Sequence, residues 1–313
     1  MLHARTFALR FKNQNIKNRY TMKKIIKAIS LIAFSAALAA CSDNGAGTRE
    51  TEVNVDDIAG TYAGYTLASC SYFQDMLAED QTITVTAGTD GTVSLGYVSD
   101  TWGEFSFSGC TVTRTGSEYS VSGTGTTEMG MGGSTSSYDA SVSATIAADK
   151  TSAGFIFTVP SVMGGLTIEF TQGEVPSALA VAGTYGGSFA LSVGGSSQGT
   201  ETLNCTITYK TDSTVDIALD EFTAMGTMKF SLSAEDVAVA EAADGYSLSG
   251  EIDTVSGETK VTGSVSGTVG SDGTAEITFV FTPGAMPMSI TGVFTSPAPD
   301  GGNGDSAEEG GNE

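Results

Sequence analysis

Histidine is almost absent from this chain: its 313 residues contain one, His3. His3 precedes the segment interpreted below as a leader, so the rest of the chain has none. Ser-His-Asp and Cys-His catalysis both need an imidazole base, and imidazole is also the commonest zinc ligand. The sequence therefore excludes these catalysts and argues against a zinc site. We expect neither a metal nor a cofactor.

Basic residues are also scarce, and they are unevenly placed. Of the 14 Lys and Arg residues, 8 precede Cys41, whereas none of the 36 Asp and Glu residues do. From Cys41 onward, 6 basic residues stand against 36 acidic ones, a formal net charge of −30. A charge this negative disfavours nucleic acid and anionic lipid surfaces as partners, and it indicates first of all a need for solubility.

The many carboxylates do not have the spacing of a catalytic or calcium site. A glycosidase needs two carboxylates facing one sugar, and a calcium site needs several oxygen ligands on a short loop. Acidic pairs such as Asp56-Asp57 and Glu79-Asp80 show neither pattern. We interpret them as solvated loop charges and predict that the protein is not an enzyme.

The sequence has no apolar run of membrane-spanning length. Its most apolar segment, 25–40, has 16 residues and includes Lys27, whereas a spanning helix needs about 20 apolar residues. The segment follows Lys23 and Lys24, which is the order of a secretory signal peptide. It ends in Leu38-Ala39-Ala40-Cys41, which resembles the lipobox of bacterial lipoproteins. The resemblance implies cleavage before Cys41 and a lipid on its thiol.

This leader determines the expected location. The lipobox implies a cell-envelope protein attached to a membrane through the lipid on Cys41. Ser42 is not the Asp that holds some lipoproteins at the inner membrane, so we expect the outer membrane. The sequence leaves open whether the protein faces the cell surface or the periplasm.

Beyond the leader, apolar residues alternate with Ser, Thr and Gly. Ile83 and Val85 show the alternation in one segment, and Val261 and Val265 show it in another, with Gly263 between them on the same face. A period of two indicates half-buried β-strands. Asp-Gly pairs between the alternating runs, at 90–91 and 272–273, favour tight hairpins. The sequence therefore predicts an all-β protein, either a sandwich or an up-and-down barrel.

The segment that follows the tether is a tandem duplication. The sequence Ile-Ala-Gly-Thr-Tyr at 58–62 recurs as Val-Ala-Gly-Thr-Tyr at 181–185, and Phe-Ile-Phe-Thr at 155–158 recurs as Phe-Val-Phe-Thr at 279–282. The offset between the copies is 123 at the first motif and 124 at the second. Each unit spans 117 residues, which is the size of a whole domain.

These motifs carry a resemblance to a known family. Gly-Thr-Tyr at 60–62 resembles the opening strand of calycins, which include lipocalins, fatty-acid-binding proteins and avidins. The Asp-Gly-Thr turn at 272–274, followed by an aromatic strand and by Pro287-Met288 before Phe294, is more similar still to the calycin-like β-barrel domain of Gram-negative lipoproteins. The first copy departs from this pattern, with Asp-Lys-Thr at 149–151 in place of the turn.

The resemblance implies two tandem calycin-like or lipocalin-like up-and-down antiparallel β-barrels of about eight strands each. Tyr62 and Tyr185 would plug the closed ends. We predict seven segments: an upstream extension (1–21), a lipoprotein signal peptide (22–40), a lipidated tether (41–56), a first barrel (57–173), a linker (174–179), a second barrel (180–296) and a disordered acidic tail (297–313).

Two cysteines of the first unit form a candidate disulfide. Cys70 and Cys110 are 40 residues apart, and an envelope protein can meet an oxidising compartment. The alternative is that these two and Cys205 are small buried hydrophobic residues, which is a common role of free cysteine. Spacing alone does not decide between them, because a disulfide needs a specific Cα separation.

Aromatic residues of the first unit are the candidate ligand contacts, namely Tyr65, Tyr72, Phe73 and the single tryptophan, Trp102. One hypothesis is a binding module whose first barrel captures a small apolar molecule or a glycan at its mouth. The other is a structural or interaction protein, an adhesin or a spacer, with filled barrels. Gly263 and Gly267 fit both, because they could leave internal space or accommodate a bulky facing side chain. A ligand barrel should contain a pocket of about 300 Å³ or more.

Overall fold

The computed structural model describes residues 53–131 and 134–298. The predicted extension, signal peptide and lipidation site Cys41, with most of the tether and of the acidic tail, lie outside the described residues. The described chain forms two closed antiparallel barrels of eight strands each, with very little helix. The predicted fold class is confirmed.

The first barrel follows a short 3-10 helix at Val55–Asp57, and its strands pair in sequence order. They are β1 (Gly60–Ser69), β2 (Met76–Ala87), β3 (Thr92–Ser99), β4 (Gly103–Thr115), β5 (Glu118–Met131), β6 (Ser134–Ala147), β7 (Ala153–Val159) and β8 (Leu166–Gln172). Pairing of β1 with β8, from Gly64 opposite Gln172 to Ser69 opposite Thr167, closes the wall.

The second barrel follows a one-turn helix, α1 (Ser177–Ala180), and repeats the same order. Its strands are β9 (Gly183–Val193), β10 (Ser196–Thr211), β11 (Thr214–Ala224), β12 (Met228–Ala242), β13 (Gly245–Ser256), β14 (Thr259–Gly270), β15 (Ala275–Pro283) and β16 (Ile290–Ser296). Pairing of β9 with β16 closes this wall. Helix α1 begins in the segment interpreted as a linker and ends at the first residue of the predicted second barrel, and its Ala178 is fully buried.

The two ends of each barrel differ and are called the helix end and the loop end. The helix end is the end at which the chain enters β1 or β9 from its short helix. The loop end is the opposite end. It carries the connections β1–β2, β3–β4, β5–β6 and β7–β8 in the first barrel, and β9–β10, β11–β12, β13–β14 and β15–β16 in the second.

Alternation along each strand separates the inside of the wall from the outside. In β7, Phe155, Phe157 and Val159 are buried, whereas Ile156 between them is 40% exposed. Successive side chains of a strand point to opposite faces, so a closed wall sends every second residue inward. The period of two in the sequence therefore places the apolar set of every strand in one enclosed core.

Aromatic rings occupy the interior of the first barrel. Phe157 of β7 contacts Tyr97 of β3 and Phe105 and Phe107 of β4, with ring centroids 5.2, 5.3 and 5.8 Å apart. In the closed order, β7 lies on the far side of the barrel from β3 and β4. These contacts therefore cross the interior, and side chains fill it.

The second barrel is filled in the same way by fewer rings. Phe222 of β11 contacts Phe189 of β9 with ring centroids 4.9 Å apart and Phe281 of β15 with centroids 6.0 Å apart. Each of these phenylalanines is at most 1% exposed. Because β11 and β15 lie on opposite sides of the wall, this interior too is occupied by side chains.

The inward glycines of β14 have a role that neither sequence interpretation anticipated. A Cβ added to Gly263 would lie 2.7 Å from Phe281 Cα, and one added to Gly267 would lie 2.8 Å from Ile277 Cα. Both glycines therefore allow the backbones of β14 and β15 to approach closely. They neither leave internal space nor accommodate a facing side chain. Forcing an extra methyl into such a packed site typically costs about 1–3 kcal/mol.

Candidate functional site

The helix end of each barrel is closed by a tyrosine in equivalent positions. Tyr62 Oη donates a hydrogen bond to Ile58 O at 2.6 Å, and Tyr185 Oη donates to Val181 O at 2.8 Å. Burial raises the pKa of Tyr62, and it raises the pKa of Tyr185 to about 12. Both phenols therefore stay protonated as donors. The tyrosines lie at the closed end, where the resemblance placed them, and they also join the short helix to the barrel.

The first barrel has additional charged interactions at this end. Asp57 Oδ2 accepts a 2.6 Å hydrogen bond from Tyr119 Oη and lies 3.7 Å from Arg114 Nη1, while Arg114 also stacks 5.0 Å over the Tyr119 ring. Lys150 Nζ donates to Ala59 O at 2.6 Å. Burial, followed by the hydrogen bond to Asp57, raises the pKa of Tyr119. These groups pair with one another, so they stabilise the end of the barrel and do not form an obvious catalytic set.

The loop end of the first barrel is covered by an aromatic cap. Phe73 and Trp102 stack with ring centroids 5.7 Å apart, and they are only 7% and 3% exposed. Phe73 is held by its own carbonyl, which accepts a 2.9 Å hydrogen bond from Cys70 N. The β7–β8 connection joins this cap through Ser71 N, which donates to Met163 O at 3.3 Å. The cap lies above the aromatic interior and closes the mouth.

Two polar atoms beneath this cap have no partner. Trp102 Nε1 and Thr127 Oγ1 are buried without a hydrogen-bond partner in the described part of the chain. Thr127 pairs with Phe105 across β4 and β5, close to the start of β4 that follows Trp102. A buried donor without a partner costs about 1–3 kcal/mol, so each group is a place where water or a polar ligand would be favoured.

The structure brings together only some of the four predicted ligand contacts. Phe73 and Trp102 meet in the cap, and Tyr72 lies beside them with 62% of its surface exposed. Tyr65 lies apart from them. Its neighbours Thr66 and Ala68 are fully buried and so take the inward positions of β1, which places Tyr65 on the outer face, paired with Thr171. The sequence could not reveal this, because β1 has no clear alternation around Tyr65.

The two cysteines of the candidate disulfide are not bonded to each other in this structure. Cys70, Cys110 and Cys205 are all free thiols. Cys70 follows β1 at the loop end, whereas Cys110 on β4 pairs with Val93, the second residue of β3, near the helix end. Two strands and most of the length of the barrel separate the two sulfurs, far beyond the Cα separation that a disulfide allows. The alternative fits Cys110 and Cys205, which are fully buried, and Cys70 is half-buried.

Apart from Tyr72, sequence reasoning missed a set of exposed apolar residues. Five of them lie at or beside the loop ends, although solvent-facing residues elsewhere in the walls are mostly polar. They are Val98 (68% exposed), Tyr72 (62%), Val255 (60%), Met288 (54%) and Met228 (37%). Their signal in the sequence is weak, because an apolar residue at a strand end is indistinguishable from a core residue without the register.

Other candidate sites are less developed. An open groove of about 570 Å³ runs along β9 and is lined mainly by small residues: Gly186, Gly187, Ser188, Thr202, Leu203, Asn204, Thr295 and Pro297. Across residues 53–131 and 134–298, no three His, Cys, Asp or Glu side chains come together as a metal site would require. No helix in the same ranges is long and apolar enough to cross a bilayer.

Comparison with known proteins agrees with this architecture. The family model of the calycin-like beta-barrel domain matches the chain twice, at residues 58–172 and 181–296. A solved structure of a "putative outer membrane protein" from Bacteroides fragilis is 31% identical, covers 77% of this chain and 98% of its own, and has a TM-score of 0.66.

A more distant similarity carries no weight. A Nostoc punctiforme protein of unknown function from the DUF3598 family is 10% identical over 77% of this chain and 96% of its own, and its TM-score of 0.23 supports no argument about the fold. Among curated proteins, none matches the chain.

The environments of the three free thiols predict different reactivities. Burial raises the pKa of Cys110, and it raises the pKa of Cys205 to about 12. The thiolate is the reactive form, so neither should react in the native state near neutral pH. We expect iodoacetamide to label Cys70 alone in the native protein with Cys41 replaced by Ser, and all three after unfolding in guanidinium, as measured by peptide mass spectrometry. If Cys70 became labelled only after reduction, Cys70 would be part of a disulfide in the native protein.

Proposed function

The chain belongs to the calycin-like β-barrel domain family, in two copies, and from that premise we propose that it is a non-catalytic interaction protein of the outer membrane. In this proposal the loop ends of two filled barrels contact its partners, and no small molecule is held inside. The observation that carries the proposal is the pair of aromatic interiors described above. They use the space in which other calycins hold a ligand.

The distribution of exposed apolar residues supports the loop ends as the contact surface. Singly exposed apolar residues are ordinary, whereas several at one end of a domain are typical of an interaction site. Val98 and Tyr72 belong to the loop end of the first barrel, and Met288, Val255 and Met228 belong to that of the second. The strongly acidic remainder of the surface would keep the protein soluble and direct contact to these ends.

We likewise propose that the protein catalyses no reaction, and the environments of its ionisable groups support this. The described chain contains no histidine. Its most buried nucleophiles, Cys110 and Cys205, have a raised pKa and are therefore weak nucleophiles. Asp57 is paired with Arg114 and Tyr119.

Envelope location has two supports. The leader ends in a lipobox-like sequence at Cys41, and the similar Bacteroides fragilis protein is described as a "putative outer membrane protein". We propose that a lipid on Cys41 anchors the protein there. About twelve residues, from Cys41 to the first described residue, Val53, would then separate the lipid from the first barrel.

A second candidate function rests on the cap of the first barrel. Trp102 Nε1 and Thr127 Oγ1 are buried without partners, and Tyr72 offers an exposed ring beside them. An aromatic face next to free hydrogen-bonding groups suits a glycan or another hydroxyl-bearing molecule. This is the earlier binding hypothesis, restricted to the mouth of the barrel and without Tyr65.

The filled interior predicts how the protein responds to apolar ligands. We expect fatty acids and fluorescent apolar dyes to leave the melting temperature of the wild-type protein unchanged, because they find no space. Phe157→Ala should create a cavity, lower stability by about 3–5 kcal/mol and gain dye binding. Phe281→Ala provides the same test in the second barrel. Saturable binding of a fatty acid to the wild type would contradict the proposal. Binding of a glycan that is lost in Tyr72→Ala would favour the second candidate.

The interaction proposal predicts where contacts with partners occur. A photo-crosslinking amino acid at Val98, on the loop end, should yield discrete crosslinked products in intact cells. The same group at Ile156, which is 40% exposed on the side of the same barrel, is the matched control and should yield few. Equal yields at the two positions, or products at Ile156 alone, would argue against loop-end contact.

The anchor predicts the effect of removing the lipidated thiol. Cys41→Ala should leave the folded barrels unchanged and move the protein out of the membrane fraction, because a lipid chain is the only membrane attachment proposed. Fractionation and immunoblotting measure this, and Ser42→Ala is a neighbouring control that should stay in the membrane. Protease treatment of intact cells then distinguishes a surface from a periplasmic orientation. A membrane-bound Cys41→Ala protein would refute the anchor.

A further inference from the structure

The methionines of this chain have a one-sided distribution. The sequence has ten, of which Met1 and Met22 precede the barrels. The other eight all lie within the connections of the two loop ends or within three residues of them: Met76, Met129, Met131 and Met163 in the first barrel, and Met225, Met228, Met286 and Met288 in the second. The helix ends and the centres of the strands use phenylalanine, valine and leucine instead. A core-filling role alone does not explain this placement, because filling is needed along the whole barrel.

The two barrels differ in whether these sulfurs reach solvent. In the first barrel, Met129 is 7% exposed, and Met76 and Met163 pack against the core. In the second barrel, Met225 also packs against the core, whereas Met228 is 37% exposed and Met288 is 54% exposed. The second barrel therefore presents two of its thioethers at its surface.

The two methionine-bearing connections of the second barrel border the same mouth. Phe222 pairs with Phe230 just below the β11–β12 turn, and the ring of Phe281, just below the β15–β16 connection, lies 6.0 Å from Phe222 and 6.2 Å from Phe230. These rings meet across the barrel directly beneath both connections. Met228 lies two residues before the inward Phe230 and so takes the inward face at the rim.

One methionine at each loop end is held in a strained conformation. Met225 has φ of 50° and is followed by Gly226 with φ of 84°, and Met163 of the first barrel has φ of 51° and is followed by Gly164 with φ of 75°. Asparagine and glycine readily adopt the left-handed region, whereas for other residues this conformation costs roughly 1–2 kcal/mol of conformational energy. Strain of this kind persists when the surroundings enforce it and is frequent at functional sites. At both turns, a thioether occupies a position where asparagine would be more stable.

The chemistry of the donors selects the ligand. The thioether is a soft, neutral donor that prefers Cu(I), whereas Ca²⁺ and Mg²⁺ prefer oxygen. The strongly negative charge of the chain raises the local concentration of cations. We propose that Met225, Met228, Met286 and Met288 form a binding site for a soft monovalent cation, Cu(I), at the loop end of the second barrel. The site shares Met228 and Met288 with the contact surface proposed above, but its argument does not rest on that function.

Methionine methyl resonances provide a direct test. The chain from residue 41, with Cys41→Ser and Cys70→Ser to remove competing thiols, is labelled with [methyl-13C]methionine and titrated with Ag(I), a redox-inert substitute for Cu(I). One equivalent should shift the methyl signals of the second-barrel methionines and leave Met76 and Met129 in place. Anaerobic competition for Cu(I) with a chromogenic chelator then gives the affinity.

Isosteric variants distinguish ligation from apolar contact. Met228→Leu combined with Met286→Leu and Met288→Leu keeps the apolar surface but removes three sulfurs, and it should abolish the bound equivalent. Met76→Leu with Met163→Leu is the matched control in the first barrel and should keep it. Unchanged binding in the second-barrel triple variant, or no methyl shift with either ion, would overturn the proposal and leave these residues as an apolar contact surface only.

Discussion

The size of an eight-stranded barrel is the constraint on which the rest of this structure depends. A closed wall of this size encloses a space that side chains can just fill or that can hold one small ligand. Here the space is filled. Phe157 reaches from β7 to rings on β3 and β4, and Phe222 reaches from β11 to Phe281 on β15. Each buried ring removes about 150–250 Å² from water, so these contacts that span the interior stabilise the closed wall as a whole.

Because side chains fill the interior, any partner or ligand has to be bound at the ends of the barrels. The helix ends are committed to structure, because Tyr62 and Tyr185 bond the short helices there. The loop ends differ in kind. They carry exposed apolar residues, buried polar atoms without partners beneath the Trp102 cap, and every methionine of the barrels. Although the interior is filled by core side chains, the sequences of these connections can still vary, because the connections contribute little to the core.

Duplication followed by divergence explains why the two barrels differ where they do. Both copies keep the Gly-Thr-Tyr strand and the aromatic interior, which the closed wall requires. The first copy has the interactions among Asp57, Arg114 and Tyr119 at its helix end and the aromatic cap at its loop end. The second exposes Met228 and Met288 at its loop end. The shared parts maintain the fold, and the differing parts are those with room to acquire separate roles.

The sequence by itself determined the strand content, the duplication and the closed ends, because alternation, repeated motifs and a buried tyrosine are local patterns. Only the tertiary structure decided which residues meet. It placed Tyr65 on the outer face, separated Cys70 from Cys110 by most of a barrel, and turned Gly263 into a point of backbone contact. It also gathered methionines from distant hairpins at one rim. Register and closure set these relations, and both depend on pairing between strands far apart in the chain.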